Sequence, residues 1–299
     1  MSYSNLSQMF SPLSRLEFIE SYLKNEPIVT HKVSGLDPLF SHPLLESLES
    51  LFQKWPGPVN AYQEGTADEV NALPVSCAEA RELFQSKRSG LYFDDPNLYD
   101  STIDQFLQEL RLDLGLSNLT YARSLIYVIA KGKGTATHFD QNINFVLQIS
   151  GTKKWWIAAN DSVVNPLVRH TLNHPVDPEL QSYMKAPFPS EMPNDAREYI
   201  LEPGSVLFLP RGSWHKTEAL SDAISLNFTY SAPSWLDLMT AAIRSRLVQS
   251  TQWRETANFV NDETLKSHAH AQFDRLISEL VEDTKNWKAS DILNATESN

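Results

Sequence analysis

Glu202-Pro-Gly-Ser-Val-Leu-Phe-Leu-Pro-Arg-Gly-Ser-Trp-His215 reads as a turn, a buried strand, a second turn and a histidine. The turn residues Pro203-Gly204 and Pro210-Arg211-Gly212 bracket the run Ser205 to Leu209 and deliver His215 at the start of the next element. Upstream, Thr137-His-Phe-Asp140 sits ahead of a long apolar run, Ile143 to Ile149. Side chains two apart on a strand point the same way, so His138 and Asp140 can reach one ion while Phe139 faces the other side. His215 then supplies a third ligand from a distant strand. Two imidazoles and one carboxylate take one face of an octahedral Fe(II) and leave the remaining positions open for a co-substrate and O2. A lone His-x-Asp tripeptide is weak; its place ahead of one apolar strand, with the turn-strand-turn-histidine pattern downstream, is what gives it weight.

Around these two stretches lie further β-rich runs, at Arg123 to Ala130, Lys154 to Ala158, Glu198 to Leu201 and Ala223 to Tyr230, separated by Gly, Pro and Asn turns. That density of short strands suggests a sandwich or barrel. The first 115 residues read as mainly helical, with helices expected over Ser14 to Asn25, Pro43 to Gln53, Cys77 to Gln85 and Thr102 to Leu114. Asn160 to Arg197, rich in Pro, His and Asn, reads as a long loop, either a lid or a plain surface insertion. After Pro233 the pattern returns to helix, over Trp235 to Val248 and Glu263 to Glu282, with Phe273, Leu276, Ile277, Leu280 and Val281 on one face. That face has two readings, packing against the chain's own barrel or a homodimer interface.

Composition sets outer bounds. With 299 residues, 41% hydrophobic and 21% charged, the chain can bury a large core. No apolar run approaches the roughly 18 residues of a membrane span, and the N-terminus lacks a basic region followed by an apolar stretch, so a cytoplasmic protein is expected. The single cysteine, Cys77, excludes an internal disulfide and any thiolate-rich metal site, leaving N and O as metal donors. A net charge of −12 argues against nonspecific nucleic-acid binding, which needs clustered Lys and Arg. Of the basic residues near the candidate ligands in sequence, Lys131, Lys133, Lys154, Arg211 and Lys216 read as solvated loop or surface charges, and Lys153 does not. The other histidines are poor ligand candidates: His170 and His174 read as surface or lid residues, and His268 and His270 diverge by about 200° on a helix.

The pair Thr137 to Asp140 and Pro203 to Thr217 resembles the JmjC and cupin-like group of Fe(II)/2-oxoglutarate oxygenases, and within it the motif is most similar to the asparaginyl hydroxylase that inhibits hypoxia-inducible factor. That enzyme grips 2-oxoglutarate with a threonine three before the first ligand histidine, an asparagine six after it, a lysine fifteen after it and an asparagine on a late strand. Those positions hold Thr135, Asn144, Lys153 and, across a shorter interval than in the hydroxylase, Asn227. A lysine ammonium suits the distal carboxylate of a dicarboxylate, with a threonine hydroxyl beside it. The hairpin at Ser150-Gly151-Thr152 is expected to send Lys153, Trp155 and Ile157 to one face and Lys154 and Trp156 to the other.

The resemblance implies a double-stranded β-helix, the jelly roll of cupins, with residues 1–115 as a helical region packed on it, 116–232 as the catalytic core and 233–299 as helices that either pack or dimerise. It implies Fe(II), 2-oxoglutarate and O2 as the reacting set, with His138, Asp140 and His215 as metal ligands and no general base beyond them. A C–H bond of a protein or peptide side chain, or of a small metabolite, would be hydroxylated with release of succinate and CO2. Demethylation of an N-methyl group uses the same oxidant and is not separated from hydroxylation by the sequence. A metal-dependent cupin that does not use 2-oxoglutarate and a non-catalytic cupin scaffold are the rival readings. A dicarboxylate clamp at Lys153 and Thr135 speaks against the first, and an intact triad against the second.

Overall fold

Strands such as Ile143–Ser150, buried along both faces, fold only where both faces are covered. In the computed structural model, which describes residues 5–63 and 71–297, this is what happens. Two antiparallel sheets are built from β1 (Ile28–Thr30), β2 (Val59–Tyr62), β3 (Ala72–Val75), β4 (Leu91–Asp94), β5 (Tyr121–Ile129), β6 (Gly134–Phe139) and β7 (Ile143–Ser150), continuing with β8 (Lys153–Ala158), β9 (His170–Thr171), β10 (Arg197–Leu201), β11 (Val206–Leu209), β12 (Trp214–Ala219) and β13 (Ala223–Ser231). The larger sheet runs β1-β11-β7-β13-β5-β4-β2-β3, and the smaller one β10-β8-β12-β6-β9. From β5 onward the chain passes repeatedly between the sheets, as in a jelly roll: β7 to β8, β10 to β11 and β12 to β13 each cross over.

Alternation then sorts the side chains. On the outer face of the larger sheet Phe145, Phe208, Phe228 and Tyr230 meet helices from the N-terminal third. Phe18, on the helix Arg15–Leu23, lies 5.2 Å edge-on from Phe208 and 6.1 Å from Phe145, and Phe106 of the helix Ser101–Asp113 lies 5.1 Å from Phe228. The Tyr230 hydroxyl donates to the Leu107 carbonyl at 2.8 Å, so this buried phenol is satisfied inside the aromatic layer. Between the sheets, Val146, Leu207 and Leu209 of the larger pack on Trp155 and Ile157 of the smaller.

The helices expected in the first 115 residues are present as Arg15–Leu23, Leu48–Lys54, Cys77–Lys87 and Ser101–Asp113, each with a side-chain cap at its N-terminus. The expectation of a mainly helical region is corrected in one respect: β1 to β4 come from the same stretch and extend the larger sheet at both edges. They are three or four residues long and take their stability from neighbours, β4 from β5 and β1 from β11. One compact unit takes in Met1–Leu116 and Tyr121–Ser231, and a second takes in Ser117–Thr120 and Ala232–Asn299. Within the second, the helix Trp235–Leu247 starts with a capping box between Ser234 and Asp237 and is tied to the helix Lys266–Thr284 by a two-pronged Arg246 to Asp283 ion pair at 2.8 and 2.7 Å. No helix among the described residues is long and apolar enough to cross a membrane.

The segment expected as a long loop carries more structure than that. Between Asn160 and Arg197 it forms β9 and the helix Pro178–Tyr183, and its Val163, Leu172 and Leu180 build a core with Phe139, Ala158 and Trp214. His170 is correspondingly not a surface residue: it is 5% exposed and stacks on Phe188 at 4.5 Å. His174, four residues on, is exposed.

Candidate metal centre and its pocket

β6 and β12 lie side by side, and His138 is the direct cross-strand partner of His215. Their rings are 4.1 Å apart. Asp140 follows β6 immediately, its backbone carbonyl accepting from the Gly212 amide at 2.8 Å, so the Pro210-Arg211-Gly212 turn ties the backbone at Asp140 to the approach to His215. Phe139 points the other way, 4.7 Å from Trp214. Among the described residues, His138, Asp140 and His215 form a group whose ligand atoms all lie within 4.8 Å of one another. The Nε2 atoms of His138 and His215 are 3.9 and 3.8 Å from the two oxygens of Asp140.

Each imidazole has its other nitrogen committed. Nδ1 of His138 lies 2.7 Å from the Ala136 carbonyl, and Nδ1 of His215 lies 2.9 Å from the Ser213 carbonyl. A carbonyl only accepts, so Nδ1 carries the proton and Nε2 presents its lone pair to the interior. Burial, with the second imidazole as a like charge, pushes His138 down to about 3, and burial likewise lowers His215. For Asp140 burial alone would raise the pKa, but the imidazoles of His138 and His215 and the Arg169 guanidinium hold it below the usual carboxylate value. Two neutral imidazoles and one carboxylate, buried and aimed at one point, are a donor set fit for a divalent cation.

Thr135 enters the same cavity because β6 is not regular. His215 pairs with His138 and Thr217 pairs with Thr135, so two residues of β6, Ala136 and Thr137, oppose the single Lys216. Residues three apart on a flat strand face opposite sides; this bulge turns both Thr135 and His138 inward. Thr217 accepts from the Thr135 amide at 3.1 Å, and the two hydroxyl oxygens are 3.0 Å apart. Lys153, on β8 beyond Thr217, is 4% exposed and has no ion-pair partner among the described residues. Burial pushes its ammonium down to about 8. Its Nζ lies 5.2 Å from the Trp155 ring, which stacks on His215 at 5.9 Å.

The two asparagines differ. Asn144 donates from Nδ2 to Asp140 at 3.0 Å and accepts on Oδ1 from Thr229 at 2.8 Å, so its first tie is to the carboxylate of the triad. Asn227 leaves a buried Oδ1 without a hydrogen-bond partner, on the cavity wall. Thr135, His138, Asp140, Asn144, Lys153, His215 and Asn227 all line one cavity of about 360 Å³, between the two sheets. The same cavity is also lined by Tyr62, Tyr92 and Tyr127, with ring centroids 6.1 and 6.0 Å apart in succession, and by Asp94 paired with Arg123. None of these was singled out from sequence, nor were Thr217 and Arg169. Thr217, two beyond His215, carried a readable signal in strand alternation. Arg169 carried none. The remaining histidines stand elsewhere: His31 bonds Ser205 at 2.9 Å and His42 pairs with Asp100 at 3.0 Å.

Residues 102–238 match the JmjC domain family. The chain is 32% identical over 306 residues to YxbC of Bacillus subtilis, an uncharacterized protein, covering 99% of this chain and 92% of that one. It is 30% identical over 211 residues to ribosomal oxygenase 1 of Danio rerio, covering 66% of this chain but 35% of that protein; the chain spans about a third of the length of the ribosomal oxygenases it matches. In fold it is similar to YcfD, a ribosomal oxygenase from Escherichia coli solved with cobalt and 2-oxoglutarate, at a TM-score of 0.52 and 19% identity over 92% of this chain and 68% of that one.

Proposed function

From the JmjC-domain match over residues 102–238 we propose that the chain is an Fe(II)- and 2-oxoglutarate-dependent dioxygenase that hydroxylates a C–H bond of a protein or peptide side chain. The observation that carries this reading is Lys153, a buried ammonium with no carboxylate partner among the described residues, lining the same cavity as the triad. A cation kept that way is suited to an incoming dicarboxylate. A metal-dependent cupin without 2-oxoglutarate, or a scaffold, has no use for it. The ribosomal oxygenases named above support a protein substrate over a small metabolite.

His138, Asp140 and His215 would hold the iron. When bound, the metal supplies the activation of O2 that couples decarboxylation of 2-oxoglutarate to succinate and CO2 with insertion of one oxygen atom into the substrate C–H bond. The chain's own residues bind, orient and exclude. Lys153 and the Thr135 hydroxyl receive the distal carboxylate, with Asn227 beside them on the cavity wall and Asn144 holding the carboxylate of Asp140. Val146, Leu209 and Trp155 keep that end of the cavity dry, which strengthens the ion pair at Lys153. The tyrosines Tyr62, Tyr92 and Tyr127 and the Asp94 to Arg123 pair, which line the same cavity, are left to receive the substrate. Hydroxylation is favoured over demethylation because Thr135, Asn144, Lys153 and Asn227 follow the asparaginyl hydroxylase pattern.

The same proposal takes 116–232 as the catalytic core, places the protein in the cytoplasm without a nucleic-acid partner, and assigns self-association to the C-terminal helices, where Phe273, Ile277 and Val281 form an exposed stripe. Anaerobic addition of Fe(II) and 2-oxoglutarate should give a visible charge-transfer band, and admission of O2 should give slow succinate formation without added substrate. Bound iron with neither signal would sink the 2-oxoglutarate assignment.

A further inference from the structure

Asp140 is held from two sides. Asn144 donates to one carboxylate oxygen, Oδ2, at 3.0 Å. The other, Oδ1, lies 3.2 Å from Nε of Arg169, an ion-pair contact made without hydrogen-bond alignment. Arg169 does not come from the jelly-roll strands; it sits immediately before β9, inside the 160–197 insertion. β9 is only two residues long, yet it pairs directly with the ligand strand, Thr171 opposite His138 and His170 opposite Phe139, and Leu172 adds a backbone bond to the Thr137 carbonyl at 3.0 Å. The guanidinium is fastened at its other end as well, Nη1 donating to the Thr171 hydroxyl at 2.7 Å. One planar side chain thus bridges the insertion strand and the carboxylate, a geometry that a flexible ammonium does not reproduce.

We infer that Arg169 is a positioning residue of the metal centre: with Asn144 it fixes the plane of the Asp140 carboxylate, and through it the 160–197 insertion and the bound metal stabilise each other. The inference rests on the reading of His138, Asp140 and His215 as metal ligands. A carboxylate free to rotate would offer the metal either oxygen or both, and would lose the open positions that the chemistry needs. Because the coupling is thermodynamic, it works in both directions: whatever Arg169 adds to metal affinity, the metal adds to the stability of the insertion's contact with β6.

Co(II), added alone, tests this through its visible absorption and through amide hydrogen exchange. Replacing Arg169→Gln should weaken Co(II) binding by roughly 10–100-fold, the range typical of groups that orient a metal ligand. Arg169→Lys should recover part of that loss, because it keeps the charge and gives up the bridge. Thr171→Val, which removes the anchor and leaves the guanidinium, should cost a few-fold. In the wild type, Co(II) should slow exchange of the Leu172 amide, and in Arg169→Gln it should not. A role confined to packing predicts equal losses for Gln and Lys and no metal-dependent protection at Leu172, and either result overturns the inference. Co(II) affinity in Arg169→Gln within about twofold of wild type does the same. Should the wild type bind Co(II) in a His138-dependent way but never turn over 2-oxoglutarate, the proposed reaction falls and the role of Arg169 is judged on the affinities alone. A wild type that binds no Co(II) removes both.

Discussion

The two faces of the smaller sheet are made by alternate residues of the same strands, and they treat charge in opposite ways. On the outer face Lys154 pairs with Glu198 at 2.7 Å, the indole of Trp156 donates to Glu198 at 2.7 Å, and the ammoniums of Lys154 and Lys216 lie 4.6 and 4.7 Å from the Trp156 ring. The charges of Lys154, Lys216 and Glu198 are answered there by the protein itself. On the inner face Lys153 is buried without an acid among the described residues, and the triad gathers two lone pairs and a carboxylate at one point. Adjacent residues of one strand, Lys153 and Lys154, therefore carry opposite meanings. A cation that the fold has already neutralised is structural; one that the fold buries and leaves unanswered is reserved for a ligand.

The comparison breaks most completely at the triad. His138→Ala should reduce both Co(II) binding and succinate production to background, measured by titration and by product assay, while mutations on the outer face leave both intact. Next in size is Gly134→Ala. A methyl group there would meet the Thr217 carbonyl oxygen at 1.7 Å, so β6 and β12 must separate where the bulge sets their register. Overpacking of this kind costs about 1–3 kcal/mol or more, and against a backbone atom the upper end is expected. Chemical denaturation would show the loss, and weaker 2-oxoglutarate binding should accompany it because Thr135 moves with the strand.

Lys153→Met separates the ligand role from the structural one by sign. It should weaken 2-oxoglutarate by roughly 10–100-fold, as expected for losing a charge-assisted bond, and at the same time raise the melting temperature of the ligand-free protein by removing a buried cation. The matching Lys154→Met should leave 2-oxoglutarate affinity unchanged. A subtler effect lies in pH. The Lys153 ammonium is disfavoured in the folded protein, about 8 against an ordinary 10.5. Below pH 8 both states carry the proton and the cost of burial is fully present. Between about 8 and the ordinary lysine value the unfolded chain holds a proton that the folded one has lost, so stability should rise with pH by roughly 3 kcal/mol at most, relative to Lys153→Met. Over the same window 2-oxoglutarate affinity should fall, and a Lys153→Arg variant should resist that fall.

Much of this was legible in the chain. The convergence of His138, Asp140 and His215 could be read because strand alternation and flanking turns are local, and the resemblance pointed to Lys153, which lines the same cavity. Three features were not legible, each for a long-range reason. The bulge at Ala136 and Thr137 exists only relative to β12, so nothing in the strand's own residues shows that Thr135 shares a face with His138. The strands β1 to β4 are too short to announce themselves and form against neighbours far along the chain. His170 looked like a surface residue because its segment is rich in Pro and Asn; it is buried because Phe139, Phe188 and Trp214 arrive from other elements.

The bulge has a last consequence, for how this protein can vary. On an ordinary strand a residue can be lost and the register recovered at the next turn. Here the count between Thr135 and His138 sets which way each of them faces. Removing Ala136 or Thr137 would restore regular pairing with β12 and shift the phase by one, sending either the threonine or the histidine into the Phe139 core. The length of β6 is thus read by its parity, and deletions that an exposed loop would tolerate here exchange a functional wall for an apolar one.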